Sequence, residues 1–340
     1  MERIENPYRG EGLGGMDAVP YPSEDAAAPR ALLGRCPVAG VTPLVAVPGL
    51  ARGLGVAEVH IKDERGRMEL GSFKALGAAY VIACDAEDGT ARGQTYVTAS
   101  AGNHGLSVAA GAAAFGARAV IFLAETVPEA FADRLRGIGA EVVRAGADYE
   151  ASMEAAMAEA EARGAVLLSD SSWDGYFVRP HRLMEGYNAL MAEVFDQMDA
   201  PPTHLFLQAG VGGLAGAAAA MARGTWGADV HITVVEPAAA PALMASVQAG
   251  RAVEAPGPVS AMGRLDCKVP SLIALRGLAR DADAFMTITE DEGFAGAQAA
   301  ADHGFDSTPS GAAGLAGALA GPDLPGDARV LVILSEGPEA

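Results

Sequence analysis

Lysine is nearly absent from this sequence. Three of its 24 basic residues are lysines, Lys62, Lys74 and Lys268, and the other 21 are arginines. Lys74 lies among small and apolar residues in LGSFKALGAAY (70–80), a setting that favours a chemical role over a surface charge. An ε-amine can lose its proton and attack a carbonyl carbon to form a Schiff base, whereas a guanidinium group stays protonated. Lys74 is therefore a candidate nucleophile.

Positive charge as a whole is scarce. The formal net charge is −19 at pH 7, and there is no run of basic residues. A protein that binds a phosphate backbone needs a basic face, so we expect no nucleic-acid partner, and anionic membrane surfaces are disfavoured for the same reason. There is no stretch of about 18 or more apolar residues, and the N-terminal MERIENPYRGEGLGG lacks the apolar core of a signal peptide. We therefore expect a cytoplasmic protein without a membrane partner.

Cysteine and histidine are few and widely spaced. The three cysteines, Cys36, Cys84 and Cys267, form no CxxC pair, and the six histidines show neither HxxxH nor HExxH spacing. A disulfide framework or a zinc site needs paired ligands at short spacing. We therefore expect no metal site and no disulfide-based fold.

What the sequence does contain is an alternation of short apolar, β-branched runs with Ala-rich stretches of helical spacing. At 340 residues and 50% hydrophobic composition, the chain is long enough for about two domains or lobes. Continuous apolar strands alternating with helices indicate parallel sheets covered on both faces. The sequence thus predicts an α/β fold with two lobes, each a mainly parallel sheet covered by helices, and a ligand cleft between them. The predicted strands are 56–61, 95–98, 119–123, 141–144, 165–168, 204–208, 230–235, 285–288 and 329–334, and the clearest helices are 104–115, 128–138, 148–163, 213–223 and 291–302.

A glycine-rich loop, QAGVGGLAGA (208–217), follows one predicted strand and opens a helix. Its glycines let backbone N–H groups approach an anion closely, and the helix N-terminus adds its dipole, so a phosphate is the natural ligand. The spacing is neither the GxGxxG of dinucleotide-binding folds nor the GxxxxGK[ST] of a P-loop. A short phosphorylated cofactor fits this loop better than a nucleotide, and a tight turn packed with small residues is the alternative.

A second loop, ASAGNHG (99–105), also lies between a predicted strand and a helix. Ser100, Gly102 and the helix N-terminus are candidates to hold a second anion, such as a substrate carboxylate. Asn103 can hydrogen-bond a ring oxygen. For His104 the alternatives are a place in this ligand site and a solvated helix cap, and the sequence favours the cap.

The lysine of SFKALGA, the loop SAGNHG and the loop GVGG occur in an order typical of fold-type II pyridoxal-phosphate enzymes. The sequence resembles this superfamily, which includes serine and threonine dehydratases, serine racemase and cysteine synthase. Within it, the chain is similar to the diaminopropionate ammonia-lyases, above all in the WDGY segment at 173–176 and the SEG sequence at 335–337. The similar stretches are 42–56, 62–80, 169–176, 208–217, 234–237, 310–319 and 330–337.

The resemblance implies pyridoxal 5′-phosphate as the cofactor. Lys74 would form a Schiff base with it, Asn103 would contact its 3′-oxygen, and Ser335 would lie near the pyridine nitrogen. Asp170 would take the α-proton from the L-isomer of the substrate, with a helix cap as its alternative role. Lys74, once freed from the cofactor and partly desolvated, is the other candidate base, and we expect burial to lower its pKa in that state. The phosphate would be held by Gly210, Val211, Gly212, Gly213 and Leu214, and the substrate by Ser100, Ala101, Gly102 and His104.

The chain should divide into two domains. We expect residues 1–85 and 176–340 to form a larger domain that binds the cofactor, and residues 86–175 to form a smaller inserted domain that closes over the substrate. The irregular stretch 251–272 should be an ordered loop over the site. The resemblance further implies a homodimer.

One residue departs from the ammonia-lyase pattern. Those enzymes carry an aspartate, assigned to the D-isomer, at the position that Ala101 occupies here. The expected function is elimination of ammonia from an L-2,3-diamino acid such as diaminopropionate, through aminoacrylate to pyruvate and ammonia. The alternatives are a dehydratase of a β-hydroxy amino acid, which Ala101 slightly favours, and a non-catalytic regulator that binds pyridoxal phosphate.

Five further polar and aromatic residues have two interpretations each. Arg65 and Arg67 would either bind a phosphate or carboxylate or form surface ion pairs. Trp173 and Tyr176 would either line the cleft or pack in the core. Glu236 would be a carboxylate that faces the cleft or a solvated residue.

Overall fold

Two β-sheets organise the chain. The computed structural model describes residues 1–321 and 323–338. The strands are β1 (Arg3–Glu5), β2 (Leu44–Ala46), β3 (Glu58–Asp63), β4 (Thr95–Ala99), β5 (Arg118–Leu123), β6 (Glu141–Arg144), β7 (Val166–Leu167), β8 (His204–Gln208), β9 (His231–Pro237), β10 (Ala284–Ile288) and β11 (Arg329–Leu334). The larger sheet has the strand order β1-β10-β9-β8-β11-β3-β2, and the smaller has the order β6-β5-β4-β7.

Helices cover these sheets. They are α1 (Ala27–Leu33), α2 (Pro48–Leu54), α3 (Lys74–Glu87), α4 (Asn103–Ala114), α5 (Glu129–Gly137), α6 (Tyr149–Arg163), α7 (Val178–Gln197), α8 (Gly213–Trp226), α9 (Ala242–Ala249), α10 (Leu272–Asp281), α11 (Glu290–Ala301) and α12 (Ala313–Ala320). Two short 3₁₀ helices span Glu64–Glu69 and Gly227–Asp229.

The sheets are mainly parallel, as the apolar runs predicted. The smaller sheet is parallel throughout. The larger is parallel except at its edges, where β1 pairs antiparallel with β10 and β2 pairs antiparallel with β3. The predicted α/β fold is confirmed, and the nine predicted strands are present with ends shifted by two residues or fewer. The sequence did not predict β1 and β2, because three residues are too few to show a pattern.

The strands of the two sheets come from different parts of the chain. All four strands of the smaller sheet lie between residues 95 and 167, and the seven strands of the larger sheet lie outside that range. Five predicted helices correspond to α4, α5, α6, α8 and α11. Helix α3, which begins at Lys74, was not predicted, because most of its residues are buried and it lacks the polar face that produces a helical period.

Helices α3 and α7 pack closely because glycines stand at their contact. A Cβ atom at Gly77 would lie 2.7 Å from the Tyr187 ring, and one at Gly186 would lie 2.7 Å from the Leu76 carbonyl oxygen. A larger side chain at either position would push the helices apart, since protein interiors have little free volume. The contact fixes the first turns of α3, with Lys74, against the middle of α7.

The loops at the carboxyl ends of the parallel strands form one edge of the molecule. The loops 64–73, 100–102, 209–212 and 335–337 follow β3, β4, β8 and β11 respectively. Such edges are where open α/β sheets bind ligands. Each predicted glycine-rich or lysine-bearing motif lies in or directly after one of these loops.

A buried ionic cluster supports the first of these loops. Arg67 is 1% exposed, and its guanidinium donates to Glu64 at 2.7 Å and to Glu193 of α7 at 2.8 Å. Lys62 donates to Glu193 at 2.6 Å and to the Thr42 carbonyl at 2.7 Å. Burial lowers the pKa of Lys62 and Glu193 opposes that effect. The cluster joins β3, the 3₁₀ helix that follows it and α7.

This cluster corrects one interpretation of the sequence. Arg67 was expected either to bind a ligand anion or to form a surface ion pair, and it does neither, because two carboxylates enclose it in the interior. Arg65 pairs with Asp63 at 2.8 Å, and its side chain is 23% exposed. Both arginines therefore stabilise the loop that precedes Lys74.

Replacing Arg67 by methionine should destabilise the protein by about 3–5 kcal/mol, because Glu64 would remain buried without the guanidinium that it binds, and Glu193 would keep Lys62 but lose Arg67. Urea unfolding followed by circular dichroism measures this change. Arg30→Met is the matched control: the Arg30–Asp196 pair lies on the surface, and its loss should cost at most about 1 kcal/mol. Equal effects of the two substitutions would contradict a supporting role for the cluster.

Candidate active site

Lys74 and Asp170 form an ion pair although 96 residues separate them. Lys74 is the first residue of α3, and Asp170 lies in the segment that follows β7. The ammonium donates to Asp170 Oδ2, and the two side chains are 23% and 18% exposed. The structure thus brings the candidate nucleophile and the candidate base into contact at the strand ends. Asp170 is not a helix cap, because the next helix, α7, has Phe177 as its N-cap.

Each side chain of the pair stabilises the charged form of the other. Burial acts to lower the pKa of Lys74, but the Asp170 carboxylate outweighs it, so the pKa lies above the ordinary value. Burial acts to raise the pKa of Asp170, but the Lys74 ammonium holds it well below the usual range. The expectation of a lowered Lys74 pKa concerns the amine freed from the cofactor and stays a prediction; in the cofactor-free protein the Asp170 carboxylate outweighs burial.

His104 lies inside the molecule and not in solvent. Its ring is 4% exposed, and Nε2 lies 2.8 Å from the Leu168 carbonyl oxygen, so Nε2 must carry the proton of a neutral ring. Its Nδ1 is buried and has no hydrogen-bond partner among the described residues. Burial lowers the pKa of His104, with Asp170 opposing and Lys74 adding to the effect. The predicted solvated cap is wrong, because the second residue of α4 points toward the sheet.

Asn103 and the segment after β11 meet across the site. The Asn103 side-chain amide donates to the Glu336 carboxylate, and Thr308 Oγ1 donates to the same carboxylate. Ser335 is buried, and its carbonyl oxygen accepts a hydrogen bond from the Phe73 N–H at 3.1 Å. These hydrogen bonds hold Asn103 and Ser335 close to Phe73, the residue before Lys74. Glu336 was missed as a site residue, although it is the middle residue of the SEG sequence.

The glycine loop leads directly into α8. Gly212 is the N-cap of this 14-residue helix and has φ +97°, a conformation that side chains disfavour. A Cβ atom at Gly210 would lie 3.0 Å from Cys267 Sγ and 3.1 Å from Leu265 Cα. The Val211 carbonyl accepts from the Ser271 N–H at 3.0 Å. Gly213 and Leu214 begin the helix, so the loop presents free backbone N–H groups of the kind that bind anions.

The irregular segment 251–271 contributes to this loop and to a cleft. Cys267 lies against Gly210, and burial raises its pKa to about 12, so its thiol is neutral.

Arg264 donates to the Ala101 carbonyl at 3.1 Å, and Ser100 Oγ accepts from the Gly102 N–H at 3.2 Å. A cleft of about 370 Å³ opens beside these loops, and its lining includes Gly71, Ala101, Asn103, Arg134, Arg264 and Glu336.

The structure settles the alternatives for Glu236 and shows one contact of Trp173 and Tyr176. Glu236 is fully buried and neither faces the cleft nor meets solvent, because its carboxylate accepts the N–H groups of Leu243 and Met244 at the start of α9. Burial raises its pKa to about 8, and the two N–H groups oppose that rise. Trp173 and Tyr176 stack on each other with ring centroids 4.4 Å apart.

A family model of pyridoxal-phosphate dependent enzymes matches residues 36–336. The chain belongs to this family. Diaminopropionate ammonia-lyase of Escherichia coli strain K12 is 31% identical over 267 residues, which cover 72% of this chain and 67% of that protein. The enzyme of the same name from Salmonella typhimurium is 34% identical over 206 residues, which cover 54% of this chain and 51% of that protein.

The structural comparison agrees with the sequence comparison. The crystal structure of E. coli diaminopropionate ammonia-lyase in complex with an aminoacrylate–PLP azomethine reaction intermediate matches with a TM-score of 0.89 and 28% identity. The match covers 99% of this chain and 93% of that chain. The predicted fold-type II architecture and pyridoxal-phosphate cofactor are confirmed.

The residues present fit this cofactor. Loop 210–214 offers an anion site without side chains at the start of α8, and Lys74 offers an amine for an aldehyde. Two buried polar atoms near that amine, Tyr187 Oη and His104 Nδ1, have no hydrogen-bond partner among the described residues. A polar ligand in this place would supply hydrogen-bond partners for those two atoms.

Two classes of feature are not found in the described part of the chain. Residues 1–321 and 323–338 contain no group of three or more histidine, cysteine, aspartate or glutamate side chains that could hold a metal ion. Within the same residues, no helix is long and apolar enough to span a bilayer.

Replacing Gly212 by aspartate should abolish binding of pyridoxal phosphate, because a Cβ atom at this position would lie 3.0 Å from Ala274 Cβ and from Leu243 Cδ1 and would displace the loop. The substitution places a negative charge at the N-terminus of α8, where the cofactor's phosphate would be repelled. Absorbance of the purified protein measures cofactor occupancy, and circular dichroism checks the fold. Gly164→Asp is the control, because Gly164 also has a positive φ, of 60°, and lies at the end of α6 with open space around it. Unchanged occupancy in the Gly212 variant would place the phosphate elsewhere.

Replacing Asp170 by asparagine should lower the pKa of Lys74, because the desolvation of the amine would remain while its countercharge is lost. Reductive methylation with formaldehyde, followed peptide by peptide in the cofactor-free protein, should then modify Lys74 at lower pH than in the wild type. Lys268, which pairs with Asp266, is an internal control whose pH profile should not move. A Lys74 profile identical in both proteins would show that Asp170 does not set the charge of the amine.

Proposed function

We propose that this protein is a pyridoxal-phosphate dependent ammonia-lyase that eliminates ammonia from an L-2,3-diamino acid, the simplest of which is diaminopropionate. The observation that carries the proposal is the Lys74–Asp170 contact beside the glycine loop. An amine for the cofactor and a carboxylate for a proton stand together at one site. The similarity to the diaminopropionate ammonia-lyases of E. coli and S. typhimurium supports the choice of reaction.

The proposed roles divide between holding the cofactor and moving a proton. When bound, pyridoxal phosphate withdraws electrons from Cα of an amino acid and makes the α-proton acidic. Lys74 would hold the cofactor's aldehyde carbon, and the loop from Gly210 to Leu214 would hold its phosphate. Asn103 would face its ring oxygen, and Ser335 would face its ring nitrogen.

Asp170 would act as the base. It would accept the α-proton, the electrons of the Cα–H bond would form the Cα–Cβ double bond, and the β-ammonium group would leave as ammonia with the electrons of the Cβ–N bond. The released aminoacrylate hydrolyses to pyruvate and a second ammonia. In the cofactor-free protein the Lys74 ammonium keeps Asp170 a weak base. Once that ammonium leaves the carboxylate, burial raises the pKa of Asp170 and strengthens it as a base.

The substrate would bind in the cleft beside the loop from Ser100 to His104. Arg264 and Arg134 line the cleft and would attract the substrate carboxylate. His104 would contribute through its unpartnered Nδ1 and not through a solvated ring. We further propose that residues 86–175 move as a closing domain over residues 1–85 and 176–340, and that the enzyme is a cytoplasmic homodimer.

A dehydratase of β-hydroxy amino acids is the second candidate function. Ala101 favours it, because the ammonia-lyases carry an aspartate at this position and dehydratase-type loops do not. Pyruvate or other keto-acid release from L- and D-diaminopropionate, serine, threonine and hydroxyaspartates separates the two functions. The main proposal expects the highest kcat/KM for L-diaminopropionate and a loss of turnover in Lys74→Arg, which keeps the charge without Schiff-base capacity. A protein that binds the cofactor but acts on none of these substrates would support the non-catalytic alternative.

The enzyme should process the L-isomer and be nearly inert toward D-diaminopropionate. A base must stand on the face from which the α-proton leaves, and only position 170 of the pair 101 and 170 is acidic in this chain. Asp170→Asn should lower kcat on the L-isomer by about a hundredfold or more, the usual scale for a lost general base. Ala101→Asp should confer measurable D-activity.

Stopped-flow or coupled assays of pyruvate release on the two isomers test this stereochemical assignment. Asp174→Asn is the control, because Asp174 lies in the same segment without contacting Lys74 in the described structure. Comparable wild-type rates on both isomers, or an Asp170→Asn enzyme with full L-activity, would leave Lys74 as the base.

A further inference from the structure

Tyr187 is a buried residue next to the site that no sequence motif indicated. It lies in the middle of α7 and is 1% exposed. Its ring packs edge-on against Phe73, the residue before Lys74, with centroids 4.9 Å apart. The ring is therefore fixed in place by the chain that positions the lysine.

The same ring also borders the glycine loop. A Cβ atom at Gly213, the first residue of α8, would lie 3.6 Å from the Cε2 atom of Tyr187. A Cβ atom at Gly77 would lie 2.7 Å from Cε1 on the opposite edge. Cε1 and Cε2 flank the carbon that bears the hydroxyl, so the hydroxyl is directed between the Lys74 helix and the N-terminus of α8.

This hydroxyl lacks a protein partner. Among the described residues, no group meets it with hydrogen-bond geometry, although Lys74 and Asp170 are close enough to act on its charge. Burial raises the pKa of Tyr187, and the Lys74 ammonium opposes that rise, so the phenol is neutral and able to donate near pH 7. A buried donor without an acceptor is destabilising, and such atoms in native structures generally meet a ligand or water.

We propose that Tyr187 is a cofactor-binding residue whose hydroxyl donates a hydrogen bond to the phosphate of bound pyridoxal phosphate. The N-terminus of α8 attracts an anion from one side, and the phenol supplies a donor from the side of α7. The inference rests on the proposed function only in requiring that this cofactor binds at α8. The phosphate would be the acceptor that the Tyr187 hydroxyl lacks among the described residues, because the ring borders the first residue of α8.

The test compares two cofactor analogues on Tyr187→Phe, a change that keeps the ring and removes only the hydroxyl. A hydrogen bond to a charged acceptor is worth enough to weaken pyridoxal phosphate binding by about tenfold to a hundredfold when lost. Binding of pyridoxal, which has no phosphate, should be unchanged. Dissociation constants from absorbance titration of the cofactor-free protein give both values without any assay of turnover.

A control variant and two further measurements complete the test. Tyr96→Phe is the matched control, since Tyr96 is also fully buried but its hydroxyl donates to Asp85 at 2.9 Å, and its loss should leave both dissociation constants unchanged. The ³¹P resonance of bound pyridoxal phosphate should shift in Tyr187→Phe and not in Tyr96→Phe. Cofactor-free Tyr187→Phe should melt at or above the wild-type temperature, because the substitution removes an unsatisfied group.

The outcomes separate the alternatives. Equal weakening of pyridoxal phosphate and pyridoxal would assign the hydroxyl to Lys74 or the cofactor ring and overturn the proposal. Unchanged affinity for pyridoxal phosphate with an unshifted ³¹P resonance would overturn it as well. Wild-type protein that binds pyridoxal phosphate but has no lyase activity would refute the proposed function and leave this inference standing.

Discussion

The contact between Lys74 and Asp170 is the interaction on which the site depends. It joins the start of α3, in the larger sheet's part of the chain, to the segment that leaves the smaller sheet after β7. Because each charge shifts the pKa of the other, the pair is stable as ammonium and carboxylate over a wide pH range. The contact also keeps the amine in its protonated form. In the proposed function, Asp170 would be the base, and the departure of the ammonium on cofactor binding would strengthen it.

Lys74 can hold this position because buried contacts stabilise the loop that precedes it. Met68 and Glu69 have φ of 49° and 60°, a left-handed conformation that costs free energy for residues with side chains. Arg67, one residue earlier, is bound on both sides by Glu64 and Glu193 in the interior. Such a strained turn persists where its surroundings over-determine it, and the buried cluster does so here. The charged network thus contributes to the placement of Lys74 without touching it.

The sequence predicted those parts of the site whose signal is local. The glycine loop, Asn103 and Lys74 each lie in a short motif with a strand on one side and a helix on the other, so their chemistry could be inferred from neighbours in the chain. Strand positions followed from continuous apolar runs, which report burial on both faces.

The rest of the site depends on contacts between distant segments. Arg67 meets Glu193 across 126 residues, and Asn103 meets Glu336 across 233. Burial of His104 and the orientation of Tyr187 follow from how helices pack on the sheets, which no local pattern encodes. The pKa of Lys74 in the cofactor-free protein could not be predicted for this reason: its neighbours in sequence indicate burial, and the carboxylate that reverses the effect of burial comes from the segment after the smaller sheet.

The scarcity of lysine takes on a physical meaning in this structure. The Lys62 ammonium has three acceptors, the Thr42 carbonyl, Glu193 and Gln197. The Lys268 ammonium also has three, two carbonyls and Asp266. An ammonium has three protons to donate, so both groups place all of theirs on acceptors of the protein itself. The Lys74 ammonium donates to Asp170, whose backbone borders the first residue of α8. Rarity draws attention to all three lysines, but it is the setting of Lys74, next to buried polar atoms without a hydrogen-bond partner among the described residues, that favours a ligand beside its amine.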